Sequence, residues 1–172
     1  MKKHSLKLWE KFFPGCELSI ASFYSDDLRD AELAKPPAPP STGKYIVFKR
    51  WDNLKKEDNP QVVIFFVNPT IAAGLHGLAN FRAKTSHGII TPFATGCDAI
   101  MRIPMLEGAS SNPRAVIGGL DPFARMYMKR DTLTFSVPWK KFLEMLDDME
   151  ESFLNTEVWQ KVVRVCGKKS ES

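Results

Sequence analysis

The chain has 172 residues, 44% hydrophobic and 26% charged, with a formal net charge of +4. That length supports one well-buried core and is short for two independent domains, and no apolar run approaches the roughly 18 residues of a bilayer span, so a soluble protein without a membrane segment is expected. Three cysteines, Cys16, Cys97 and Cys166, are odd in number and far apart, which fits a reducing compartment, the cytoplasm, better than a disulfide framework.

The opening MKKHSLKLWEKFF alternates lysine with apolar residues and lacks the continuous apolar core of a secretory signal. Leu6 to Phe13 reads as a short helix with Leu6, Trp9 and Phe13 on one face, stopped by Pro14-Gly15. Leu18 to Tyr24 alternates as a strand, and Asp26-Asp27 can cap a second short helix, Leu28 to Leu33. The stretch KPPAPPSTG can continue neither helix nor strand and reads as an extended linker. This predicts an N-terminal helix-strand arm over 1–35 packing on the body, a Pro-rich linker over 36–43 and a main body over 44–167, one domain overall.

In the body, Tyr45 to Phe48 is a short strand, and QVVIFFV has consecutive apolar positions without alternation, as in a central strand buried on both faces. Asn68-Pro69 opens a helix running to about Phe81. Ile71, Leu75 and Leu78 form its inner stripe, His76 faces away, and Gly74 and Gly77 permit close packing at some cost in helix stability. Further strands are expected at Gly88 to Phe93, Arg114 to Ile117 and Leu133 to Val137, with a short helix from about Gly96 to Ile103. Helices from Trp139 to Phe153 and Glu157 to Cys166 close the body, the latter ended by Gly167. The acidic residues Glu144, Asp147, Asp148 and Glu151 are expected on the solvated face of the first of these, opposite Phe142, Leu146, Met149 and Phe153. The resulting class is α+β (or α/β), a single mixed β-sheet layered with helices.

The whole charge excess falls within residues 81–130, where Arg82, Lys84, Arg102, Arg114, Arg125, Lys129 and Arg130 face only Asp98, Glu107 and Asp121. A local excess of this kind favours an anionic small ligand over a duplex, which needs a longer basic stripe or a reading helix, so nucleic acid is disfavoured. In Thr95-Gly96-Cys97-Asp98, Thr95 caps a helix and Asp98 reaches back, which puts Cys97 in the first turn. Helix-start amides there favour a thiolate or an anion, with Arg102, Arg114 or Arg125 nearby. The plainer alternative is a small buried cysteine at a tight turn. Gly118-Gly119 makes a second turn after a strand, either at the same mouth or as turn chemistry alone. His87 lies near this basic centre. The three histidines lack ligand spacing with the cysteines, so no metal is expected, and no complete catalytic motif assigns a reaction or a cofactor.

The blocks LWEKFFPGCELSIASFYSDD, GKYIVFKRWDNL, QVVIFFVNPTIAAGLHGLANF, ITPFATGCDAI and LTFSVPWKKFLEMLDDMEESFLNTEVWQKV resemble, in order and content, the domain-of-unknown-function 169 family. The resemblance covers residues 5–37 and 43–165, with GCDAI at the family's recurrent glycine-cysteine position. It implies a shortened member: relatives carry a cysteine- and glycine-containing segment where this chain has only APPST between Pro37 and Gly43. A redox or cofactor function resting on that segment's cysteines does not transfer, and apolar surface left uncovered would favour a homodimer. Three readings follow: a protein binding an anionic small molecule or cofactor through Thr95, Gly96, Cys97, Asp98, Arg102, Arg125, Gly118, Gly119 and His87; a non-catalytic interaction or dimerisation module; or a thiol-dependent redox protein using Cys97.

Overall fold

Six apolar side chains in succession from Val62 to Val67 demand apolar cover on both sides of one strand, and the chain supplies it with helices on both faces of a mixed sheet. The computed structural model describes residues 11–13, 20–25, 45–55, 58, 60–83, 88–94, 96 and 98–167. The expected helix at Leu28 to Leu33, the Pro-rich linker and most of the first helix lie outside these residues. The strands are β1 (Ile20–Ser25), β2 (Tyr45–Lys49), β3 (Val62–Val67), β4 (Ile89–Ile90), β5 (Ala115–Gly118) and β6 (Leu133–Pro138), in the order β2-β1-β3-β6-β5-β4. Every neighbouring pair is antiparallel except β4 with β5. The helices are α1 (Pro69–Asn80), α2 (Ile103–Gly108), α3 (Pro122–Tyr127), α4 (Trp139–Asp148) and α5 (Glu157–Gly167). The fold is α+β, as the pattern of elements predicts. Among the described residues, no helix is long and apolar enough to cross a membrane.

β3 lies third in the sheet, between β1 and β6, and Val62, Val63, Ile64, Phe65 and Val67 are buried. Val63, Phe65 and Val67 join the larger core with Phe12, Phe13, α1, α4 and α5; Val62 and Ile64 meet Met101 and Met105 on the opposite face. β1 is paired on both sides, with Ile20 opposite Ile64 and Ala21 opposite Lys49.

Asn68 caps α1 by accepting from the Ile71 amide at 2.9 Å, with Pro69 at the first turn, where its missing N–H costs nothing. Ile71, Leu75 and Leu78 are buried and His76 is exposed, as the helical period requires. Gly74 and Gly77 are the closest points of approach: a Cβ on Gly74 would overlap the Trp159 indole, and one on Gly77 the Phe153 ring. The Trp159 indole N–H donates to the Phe12 carbonyl at 2.8 Å, and its ring stands edge-on to Phe13 and Phe153.

Several boundaries differ from the sequence expectation. The strand expected over Gly88 to Phe93 shortens to Ile89–Ile90. The helix expected to reach Phe153 ends at Asp148, because Ser152 donates to the Met149 carbonyl at 2.8 Å and caps a 3-10 turn, Phe153–Asn155. The Gly118–Asp121 turn leads into α3, whose entry is marked by Asp121-Pro122. Asp148 is also not on the solvated face: it is 7% exposed, whereas Glu144, Asp147 and Glu151 are exposed. Arg82 reaches over from the end of α1, its Nε 3.1 Å from the Asp148 carboxylate and its terminal nitrogen on Glu151. Burial pushes the Asp148 carboxyl above its ordinary range, against the pull of Arg82 and Lys141.

Gly74→Ala is expected to destabilise the protein by about 1–3 kcal/mol, despite alanine's better helix propensity, because α1 and α5 must part to admit the methyl group; chemical denaturation measures this. A second expectation concerns Glu107 of α2, which accepts from Arg114 Nη2 at 2.7 Å, from its Nε at 3.0 Å and from its backbone amide at 3.1 Å. The Arg114 hydrogen bonds hold the Glu107 carboxyl below its ordinary range, in spite of partial burial. A lowered folded pKa stabilises above the unfolded value and is lost as pH falls through the folded one. Glu107→Gln is therefore expected to cost about 1–2 kcal/mol at neutral pH, moderated by Arg114's exposure, and to flatten the loss of thermal stability below roughly pH 4.5. Asp148 acts in the opposite sense: its raised value means its contribution falls as pH rises through the acidic range.

Candidate functional site

Pro104 lacks an amide hydrogen and its ring crowds the carbonyl four residues back, so an α-helix cannot run undisturbed through Ile100 to Pro104. The chain answers with a π-helical turn, Asp98–Arg102, that passes directly into α2. Where a helix ending near Ile103 is expected from sequence, one helical segment runs on to Gly108. It lies lengthwise over β5 and β6. Its start rests on Gly118, where an added Cβ would come within 3.1 Å of the Ala99 Cβ, and its end lies beside Pro138, 3.7 Å from the same kind of atom on Gly108. Eleven helical residues rise about 16 Å, which suits the four-residue step from Thr134, opposite Gly118, to Pro138.

Alternation along β6 sends Phe135 and Val137 into the larger core and Thr134 and Ser136 to this second face. Thr134 lies between Phe66 and Gly118, and Ser136 between Ile64 and Val116. Both residues are fully buried, and neither Thr134 Oγ1 nor Ser136 Oγ has a hydrogen-bond partner among the described residues. A buried hydroxyl without a partner costs about 1–3 kcal/mol. Thr134 is nearer the start of the helical segment, and Ser136 is two residues deeper beneath it.

The turn after β5 is set by backbone geometry. Gly119 has φ +79°, in the left-handed region that glycine enters without strain, and the Met128 side chain packs 3.1 Å from where its Cβ would stand. Arg125 of α3 donates to four carbonyls, those of Gly119 at 3.2 Å, Lys129 at 2.7 Å, Arg130 at 2.8 Å and Thr132. It thereby ties the exit of β5 to the entry of β6.

The structure therefore brings Ala99, early in the π-helical turn, against Gly118. The cations distribute differently from their count in sequence. Arg114 is held by Glu107, Arg82 by Asp148 and Glu151, and Arg125 by carbonyls, while exposed Arg102 lies 3.5 Å from Asp98, four residues back. Lys129 and Arg130 point outward. Thr95, Cys97, His87 and Lys84 lie outside the described residues, as do Cys16 and the side chain of Cys166. No group of three or more His, Cys, Asp or Glu side chains lies together among the described residues. Thr134 and Ser136 were not singled out from sequence. Their signal was present: in LTFSVP, small hydroxyl residues alternate with large apolar ones, which places both on one face of a strand.

Comparison with known proteins gives no significant match to any curated protein or solved structure. A family model does match, over residues 21–148, a span that runs from β1 to the end of α4 and contains every described residue of the site. The chain belongs to that family, DUF169, described as uncharacterised ArCR.

Proposed function

We propose that this protein binds a small molecule carrying an oxyanion, such as a carboxylate or phosphate, at the mouth formed by residues 95–98 and 118–121. The observation that carries the reading is Thr134 Oγ1, fully buried and without a partner, beside Gly118 and beneath the start of an eleven-residue helical segment. A hydroxyl there donates to an acceptor oxygen, and the N-terminal end of a helical segment carries partial positive charge. Gly118, with no side chain, lets Ala99 of the helical segment and the Thr134 hydroxyl come close together. Arginine has a smaller part in this reading than the charge count suggests, since Arg125 is engaged with carbonyls and Arg102 shares its charge with Asp98.

Calorimetric titration with inorganic phosphate and with acetate tests this. Thr134→Val is nearly isosteric and removes an unpaired donor, so the variant is expected to be as stable as the native protein or more so, yet to bind both anions at least tenfold more weakly. Ser136→Ala measures how deep the oxyanion reaches. No binding by the native protein, or equal affinity in Thr134→Val, sinks the reading.

A second reading, a homodimerisation module, is favoured by α5. Val158, Val162 and Val165 are spaced to form one stripe and are 72%, 38% and 62% exposed, beside the buried face that carries Trp159. Two copies packed antiparallel about a twofold axis would match stripe to stripe and bring Glu157 of each copy towards Arg164 of the other. Sedimentation of the full chain is expected to give concentration-dependent dimers that Val162→Glu converts to monomers. A native monomer at all concentrations rules this reading out.

A further inference from the structure

We infer that the π-helical turn Asp98–Arg102 is a lid over Thr134, bending at Ile103-Pro104 away from an α2 that stays in place. Through Thr134 the inference rests on the reading of the anion site given above, but the movement itself needs no ligand. Thr134 and Ser136 have no exposed surface, so a solute reaches the Thr134 hydroxyl only when its cover lifts. The same burial favours lifting: neither hydroxyl has a partner among the described residues, and water pairs a hydroxyl that opening brings into solvent.

Thr134, Gly118 and Ala99 meet at one point. A Cβ added to Gly118 would stand 2.8 Å from Thr134 Oγ1 and 3.1 Å from the Ala99 Cβ, so Ala99, the second residue of the π turn, closes over that point. The far end of the helical segment, Gly108, lies beside Pro138. Thr134 is thus beneath the π turn, and Ser136, midway to Pro138, is beneath the joint with α2.

The two halves of the segment are held differently. α2 is fastened by Glu107, whose carboxylate accepts from Arg114 Nη2, Nε and backbone amide. Arg114 leads straight into β5, where the Ala115 amide donates to the Gly88 carbonyl at 2.9 Å. Paired hydrogen bonds from a planar guanidinium fix both distance and direction. The π turn rests on the sheet through Ala99 and Met101, a small and a flexible apolar group whose contacts have no preferred direction. Its ion pair, Arg102 with Asp98, lies within the turn and moves with it. At the joint, Pro104 has no amide hydrogen to give back to the turn, so one bond that would carry stiffness from one half to the other is missing.

Methionine oxidation tests this on the full chain without substitution. Met101 of the π turn and Met105 of α2 are 7% and 8% exposed, and both pack on Val62 and Ile64, so a rigid segment gives peroxide equal access to each. With each rate divided by its own rate in denaturant, peptide mass spectrometry is expected to show Met101 oxidised by dilute hydrogen peroxide about tenfold faster than Met105. Pro104→Ala, which returns the missing hydrogen bond, is expected to remove most of that difference. Thr134→Cys and Ser136→Cys supply a second measurement: iodoacetamide is expected to label the thiol placed at 134 faster than the one at 136, and faster than global unfolding of the same variant allows. Met105 oxidised as fast as Met101, or labelling of both thiols only at the rate of global unfolding, overturns the lid. Calorimetric titration of the native chain with inorganic phosphate keeps the two readings apart. Faster oxidation of Met101 without phosphate binding retains the lid and overturns the anion site, whereas phosphate binding with equal oxidation overturns the lid alone.

Discussion

Burial of β3 on both faces is the constraint on which the remaining structure depends. A strand with Val62 and Ile64 on one side and Val63, Phe65 and Val67 on the other cannot sit in a two-layer sandwich with one wet face, because either set would be left in water. Two helical layers are required, and the chain makes them from unequal material. The first layer is α1, α4 and α5; the second, among the described residues, is the short run from Asp98 to Gly108.

The inequality between these layers has consequences for stability and for function. On the first face, large rings lock together: Phe142 meets Phe65, Trp51 and Trp139 with centroids 5.6–6.0 Å apart, and Trp159 is pinned through its indole N–H to Phe12. Aromatic packing of this kind contributes beyond area burial. The second face is covered by two methionines, a π-helical turn and the Glu107–Arg114 clamp, above two hydroxyls without partners. Methionine adapts to changes of shape, and unmet hydrogen bonds offset part of the gain from burial. Stability is concentrated on one side of the sheet, and the side that yields more easily carries the candidate site.

Much of this was legible in the sequence, for identifiable reasons. QVVIFFV announces a doubly buried strand because no other arrangement satisfies consecutive apolar positions. Asn68-Pro69 announces a helix start because cap and first turn have separate chemical needs. The glycines of α1 were read as points of close approach, and the rings of Trp159 and Phe153 occupy those places. Sequence reasoning fell short where the outcome depends on a remote partner. Nothing local to α4 says that Arg82, more than sixty residues away, covers Asp148. Ser152 and Thr156 end and restart helices through side-chain hydrogen bonds that compete with an uninterrupted amphipathic pattern. At the site, the sequence allowed two turns at one sheet edge, and of their surroundings the structure shows Ala99 against Gly118. The hydroxyls beneath them were not anticipated, because Thr134 and Ser136 acquire meaning only once a helix is laid over that face.

Charge counting along the chain points to residues 81–130, but a net excess is a property of a list, whereas a binding site is a property of a place. Once folded, three of those arginines are in ion pairs and a fourth holds a loop together through carbonyls, so most of the counted guanidinium charge is already engaged. In such surroundings, long-range attraction contributes little to choosing a ligand. On the proposed reading, selection falls to groups that act at contact distance, above all the fixed hydroxyl of Thr134. A donor of this kind is positioned beforehand, and under the proposed reading the hydrogen bond that Thr134 forgoes within the fold would be made to the ligand. Under that proposal the gain would depend on the direction of a hydrogen bond as well as on charge, which ties selectivity to the geometry of the oxyanion.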